Sequence, residues 1–173
     1  MSDSKLNVES LRAVVVTVSD SRREDTDTSG KAIVQYLEEA GHHVQKKVII
    51  KDDLEELREV FRSAISDENI DVLISTGGTG ITQRDITPEA LEPLVTKDIP
   101  GFGELFRFIS YQEIGTSTVQ SRAKGALCQD TLFFLLPGST NAVKTAMEKI
   151  LIQQLDSKHR PCNFAELLPR VKS

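Results

Sequence analysis

The chain has 173 residues, 39% of them hydrophobic and 27% charged, with a formal net charge of −5. That length suits one domain with a sizeable core, and the acidic balance argues against a nucleic-acid binder that works through bulk charge. No apolar run approaches the roughly 18 residues of a membrane span, and Met1-Ser2-Asp3-Ser4-Lys5 lacks the apolar centre of a signal peptide. Cys128 and Cys162 stand far apart with no CxxC pattern, and His42, His43 and His159 have no metal-ligand spacing. Reduced cysteines in a cytoplasmic protein, without a structural zinc, are therefore expected.

Strand and helix signals alternate along the chain. Ala13-Val14-Val15-Val16-Thr17-Val18 is a continuous β-branched run, as in a strand covered on both faces. Ser29 then reads as the cap of a helix carrying Ala32, Ile33, Tyr36, Leu37 and Ala40 at helical spacing, ended by Gly41. Residues 44–50 form the next strand. Asp52 or Asp53 caps a second helix with Leu54, Leu57, Phe61, Ala64 and Ile65 on one stripe. Val72-Leu73-Ile74 is a buried strand, and Thr87-Pro88 reads as an N-cap with proline in the first turn of a helix over residues 88–95.

After Ile99-Pro100-Gly101 comes a helix with Phe102, Leu105, Phe106 and Ile109 on one stripe and Phe108 and Tyr111 off it. Such a helix is either buried on two sides within a monomer or placed at a subunit interface. Residues 126–136 read as strand folding back at Gln129-Asp130. Leu136-Pro137-Gly138-Ser139 is then a second strand-to-helix turn, before a helix bearing Val143, Met147, Ile150 and Leu151. The alternation predicts a single α/β domain over residues 1–173, with a core over about 11–155, a C-terminal tail over 156–173 and a mostly parallel sheet. Ligands of such sheets sit beyond the carboxyl ends of the strands.

The stretch Ser75-Thr76-Gly77-Gly78-Thr79-Gly80, followed by Arg84-Asp85, lies at one such end. Its glycines let the backbone approach a ligand closely, and free N–H groups at a strand end suit a phosphate. It is not a Walker A loop, because Gly30-Lys31 is followed by Ala32 and has no partner glycine upstream. Nor is it a GxGxxG fingerprint, because Gly78-Thr79-Gly80 leads to Gln83. Taken alone, such a loop serves equally as a tight connection with no ligand. Asp20, Asp52 and Asp85 each follow a predicted strand, which brings three carboxylates to one sheet edge. Each alone is an ordinary cap or loop residue, but together they call for a cation. Lys51, Arg22, Arg84 and Arg122 flank them, which points to a magnesium–phosphate site. No Ser-His-Asp set is present.

These residues, with Thr17-Val18-Ser19-Asp20, Thr28-Ser29-Gly30, Thr87-Pro88-Glu89-Ala90, Ser121-Arg122 and the PGS turn, resemble the MoaB/MogA family of molybdenum cofactor biosynthesis. The likeness covers about residues 11–164, and Ile109-Ser110-Tyr111-Gln112-Glu113-Ile114-Gly115-Thr116-Ser117 and Arg160-Pro161-Cys162-Asn163-Phe164 resemble the MoaB branch. It implies a three-layer α/β/α domain that binds molybdopterin and transfers AMP from ATP, with Mg2+, to its terminal phosphate. Asp52 and Asp85 are then the catalytic and magnesium-holding residues. Ser19, Asp20, Ser75, Thr76, Gly77, Gly78, Thr79, Gly80, Ser121, Arg122, Pro137, Gly138 and Ser139 are the expected substrate contacts. One departure is Gly138-Ser139-Thr140-Asn141, where transferases of the MogA branch carry proline two residues after the PG glycine. A catalytically silent pterin-binding paralogue is the alternative the resemblance allows. It also implies a homotrimer, or paired trimers forming a hexamer.

Overall fold

The computed structural model describes residues 10–172; the Met1-Ser2-Asp3-Ser4-Lys5 stretch lies outside them. In chain order the elements are β1 (Arg12–Val18), α1 (Thr28–Glu39), β2 (His43–Ile50), α2 (Leu54–Ser66), β3 (Val72–Thr76), α3 (Thr87–Leu91), β4 (Lys97–Asp98) and α4 (Pro100–Ile114). They continue with β5 (Lys124–Cys128), β6 (Thr131–Leu136), α5 (Thr140–Ala146), α6 (Ile152–Leu155) and α7 (Phe164–Val171). One sheet runs in the order β2-β1-β3-β6-β5-β4. The pairs β1–β2, β1–β3 and β3–β6 are parallel, while β5 and β4 extend the sheet antiparallel.

The unbroken apolar runs are explained by helices on both faces. In β1, Ala13 and Val15 face one cluster while Val14, Val16 and Val18 face the other. β6 divides the same way, with Leu132, Phe134 and Leu136 against Phe133 and Leu135. The first cluster is closed by Ile33 and Leu37 of α1, Phe102 and Phe106 of α4, the helical segment from Val143 to Leu155, and Leu168 of α7. The second is closed by Leu57, Phe61 and Ala64 of α2 and by Ala90 and Leu91 of α3. Phe61 is fully buried and meets the Phe133 ring edge-on at 5.3 Å; burying one such side chain is worth about 1.5–3 kcal/mol. The result is the expected three-layer α/β/α architecture.

Several local expectations shift. Asp27, not Ser29, caps α1: its carboxylate accepts the Gly30 N–H at 2.9 Å, and Ser29 is buried inside the first turn. Asp53 caps α2 by accepting from Glu56, which leaves the Asp52 side chain outside the capping role. Thr87 caps nothing. Its hydroxyl donates to the Gly77 carbonyl at 2.9 Å and staples the glycine turn to the start of α3. Residues 92–94 are a 3-10 turn rather than α-helix. The tail holds α7, which rests on the core through Phe164, whose ring lies 5.5 Å from that of Phe134. On α4, Phe102 and Phe106 are core residues, whereas Phe108 is 69% and Tyr111 54% exposed.

The chain passes from β1 through α1 to β2, then through α2 back across β1 to β3. The direction of winding therefore reverses between β1 and β3, and the carboxyl ends of β1, β3 and β6 open onto a common crevice.

Candidate active site

The glycine turn is built by close approach of chain to chain. Gly77 donates its N–H to the Leu136 carbonyl at 2.9 Å, and the Thr76 hydroxyl donates to the Pro137 carbonyl at 2.8 Å. Gly77 has φ +103°, and a Cβ there would lie 2.2 Å from the Val18 carbonyl oxygen. Gly78 has φ +67°, and its Cβ would lie 2.2 Å from the Thr87 hydroxyl. The Thr87 staple by itself already demands glycine at 78, a reason separate from the close ligand approach that its sequence suggests. Gly80 is similarly hemmed in, because a Cβ at that position would lie 2.8 Å from an Asp85 carboxylate oxygen.

Arg122 locks this loop. Its Nε donates to the Gly80 carbonyl at 2.6 Å, its Nη2 to the Asp85 carbonyl at 2.8 Å, and its Nη1 pairs with Glu89. The Arg122 main-chain N–H also donates to the Thr79 carbonyl, at 3.0 Å. Asp85 is tied in turn by the Thr82 hydroxyl at 2.7 Å and the Thr82 N–H at 2.8 Å.

A cavity of about 510 Å³ lies above the strand ends, within the usual size for small-molecule sites. Ser19, Asp52, residues 77–80, Asp85, Ser121, Pro137, Gly138 and Ser139 line it. Four other expected contacts lie off its wall. Ser75 and Thr76 are fully buried in β3, Arg122 is spent on the loop, and Asp20 is paired with Arg84 while accepting the Asp52 N–H at 3.3 Å. Arg84 itself lines the cavity. Arg22 turns back onto the Thr26 carbonyl.

The two central carboxylates differ. Burial, and then the nearby charge of Asp85, hold the Asp52 carboxyl above the usual aspartate range. Burial acts on Asp85 in the same sense, but the bonds from Thr82, the Gly80 N–H and the Arg122 charge outweigh it, so its carboxyl sits below that range. No group of three or more His, Cys, Asp or Glu is arranged to hold a metal ion among the described residues. Cys128 and Cys162 are both free thiols.

Part of the wall comes from residues that the sequence did not single out as substrate contacts. Phe106, Ser110, Glu113 and Ile114 of α4 line the cavity, as do Asn141, Ala142 and Thr145 of α5. The available signal was the stretch over residues 109–117, which holds Ser110, Glu113 and Ile114 and resembles the MoaB branch.

The profile of a family described as a probable molybdopterin binding domain matches residues 14–157. The chain belongs to the MoaB/MogA family of molybdenum cofactor biosynthesis proteins. Molybdenum cofactor biosynthesis protein B of Escherichia coli (strain K12) is 47% identical over 153 residues, covering 88% of this chain and 90% of that protein. A crystal structure of molybdenum cofactor biosynthesis protein B matches with a TM-score of 0.84 at 41% identity, covering 94% and 96% of the two chains. MoaB from Pyrococcus furiosus, described as a tungsten cofactor synthesizing protein, matches with a TM-score of 0.72 at 43% identity, covering 82% and 91%. Within this MoaB/MogA fold the cavity takes the place that open α/β sheets reserve for ligands, beyond the ends of β1, β3 and β6. No described helix is long and apolar enough to cross a membrane.

Proposed function

We propose that this protein binds molybdopterin in the cavity and transfers AMP from ATP to its terminal phosphate. The observation that carries the reading is a pair of unequal carboxylates, Asp52 and Asp85, beside the backbone of the glycine turn in one cavity. Burial and then the Asp85 charge push the Asp52 carboxyl up, and a cation beside the pair would relieve the repulsion. Magnesium binds through one or two carboxylates together with substrate phosphates, so the donor set fits it. Asp85 and Asp52 would hold the ion, and when bound it supplies neutralisation of the negative charge on the nucleotide phosphates.

This chain's residues do the rest by positioning. The N–H groups of Gly78 and Thr79 and of the Gly138-Ser139 turn border the cavity and suit phosphate oxygens, while those of Gly77 and Gly80 are taken by Leu136 and Asp85. Arg84, 69% exposed at its side chain, supplies positive charge at the rim once it leaves Asp20. An oxygen of the pterin's terminal phosphate attacks the α-phosphorus of ATP, the bond to the bridging oxygen breaks, and pyrophosphate departs. The nucleophile is already an anion, so alignment matters more than a base. ATP as the donor suits a protein of the cytoplasm.

We take the exposed side chains Leu105, Phe108, Tyr111 and Val119, on and after α4, as the contact surface of a homotrimer or hexamer. The decisive assay mixes purified protein with molybdopterin, ATP and magnesium, and looks for adenylylated pterin and pyrophosphate in equal amounts. Tight binding of molybdopterin with no product would replace the transferase reading with that of a binding protein.

A further inference from the structure

Three carboxylates line the cavity: Asp52, Asp85 and Glu113. The first two belong with the phosphates. Glu113 sits on α4 and makes no ion pair among the described residues, yet it is firmly aimed. The Asn141 amide donates to its Oε2 at 3.0 Å, and the Thr145 hydroxyl lies 3.0 Å from both of its oxygens. Thr145 is itself buried, 4% exposed, and lies within 3.1 Å of the Asn141 carbonyl. One hydroxyl proton and one amide N–H leave most of the four acceptor sites of the carboxylate unused. Phe106, Ile114 and Ala142 add apolar wall to the same cavity, suited to the face of a flat ring.

An unpaired carboxylate pinned against an apolar wall selects a particular ligand edge. It only accepts, and it accepts best from two parallel N–H donors, as it does from a guanidinium. Adenine presents one donor and one acceptor on its pairing edge, which sets a ring nitrogen lone pair against a carboxylate oxygen. A 2-amino-4-oxopyrimidine presents two donors side by side, the ring N3–H and the 2-amino group. We infer that Glu113 reads this edge of the pterin, with Thr145 and Asn141 as positioning residues that fix its carboxylate. The inference rests on the cavity binding a pterin, not on AMP transfer.

Guanine shares the same donor pair, so the test separates the two sources. Molybdopterin bound to the intact assembly is displaced with 6-hydroxymethylpterin, with its lumazine twin (2-oxo in place of 2-amino), or with guanosine. Wild-type protein should prefer the pterin over the lumazine by about ten- to a hundredfold, the worth of hydrogen bonds to a charged group. Glu113→Gln, which keeps an acceptor for Thr145 but offers a donor to the ligand, should erase most of that preference while leaving ATP binding unchanged. Equal displacement by both ring systems, displacement by neither, or a preference intact in Glu113→Gln would overturn the assignment. Displacement by guanosine as effective as by the pterin would assign Glu113 to a guanine nucleotide instead. Pterin selectivity in a protein that makes no adenylylated product would uphold Glu113 and remove only the transferase reading.

Discussion

The guanidinium of Arg122 donates to the main-chain carbonyl of Asp85 at 2.8 Å, across 37 residues of sequence. With its bonds to Gly80 and Glu89, Arg122 fixes the loop that carries a candidate magnesium ligand. Arg122→Met should therefore slow AMP transfer without removing any group that meets substrate, and should destabilise the fold by about 2 kcal/mol. Thermal unfolding should show a fall in Tm of roughly 4–8 °C. Wild-type Tm together with wild-type turnover would contradict the loop-clamp role.

Asp52 offers a test with opposite signs. Its carboxyl titrates above the usual range through burial and the Asp85 charge. An acid whose folded-state pKa is raised costs stability at any pH above that value, and the cost vanishes below the unfolded value of about 4. In magnesium-free buffer Asp52→Asn should raise Tm at pH 7, with the gain gone by about pH 4. AMP transfer should fall at least about a hundredfold. Asp85→Asn should lose activity comparably while still binding pterin. Full turnover in either variant removes that residue from the mechanism.

Gly78→Val brings a Cβ to within 2.2 Å of the Thr87 hydroxyl at a backbone φ of +67°. The strain should cost about 2 kcal/mol or more, so the defect is one of folding first and ligand binding second. Urea unfolding reads it directly, and an unshifted midpoint would mean that the turn relaxes freely.

Asp71 accepts from the Arg12 N–H at 2.8 Å, from the Arg12 Nε at 3.0 Å and from Lys172 Nζ at 2.8 Å. Burial raises its carboxyl, but these partners outweigh burial and hold it below the usual range. A lowered acid contributes stability that is present above the unfolded value of about 3.9 and lost as pH falls through the folded one. Asp71→Asn should cost about 2 kcal/mol at pH 7 and progressively less on acidification below about pH 4. Paired unfolding curves across that window check it.

Phe108 is 69% exposed on α4, whereas Phe106 is 2% exposed and packs 6.3 Å from Phe102. Phe108→Asp should break the assembly into smaller species with an unchanged fold, while Phe106→Asp should damage the core itself. Sedimentation velocity separates the two effects. A wild-type protein that sediments as a monomer at micromolar concentration would refute the interface.

The sheet was legible because β1, β3 and β6 are apolar almost without interruption, which only a strand buried on both faces tolerates. The glycine turn on the cavity wall was legible because its glycines are local to one stretch of the chain. The α4 wall was not, since Glu113 meets Asn141 and Thr145 only after residues 28 and 32 positions away, in α5, fold beside it. Thr87 and Arg122 were misplaced for a related reason. Their roles are set by a carbonyl partner distant in sequence, and a carbonyl carries no residue signature. The α1 cap went to Asp27 rather than Ser29 because the fully buried carboxylate also meets the Thr17 hydroxyl at 2.8 Å and Lys47 at 2.9 Å, contacts made only in the folded chain.

β6 is flanked by β3 and β5, and all six of its side chains are buried. Its amides are shielded from solvent on every side, which puts them among the slowest to exchange with deuterated water, released only when the whole domain opens. The Pro137-Gly138-Ser139 turn hangs directly from that strand. One wall of the cavity is therefore anchored to the most persistent part of the molecule, and local opening elsewhere leaves it in place.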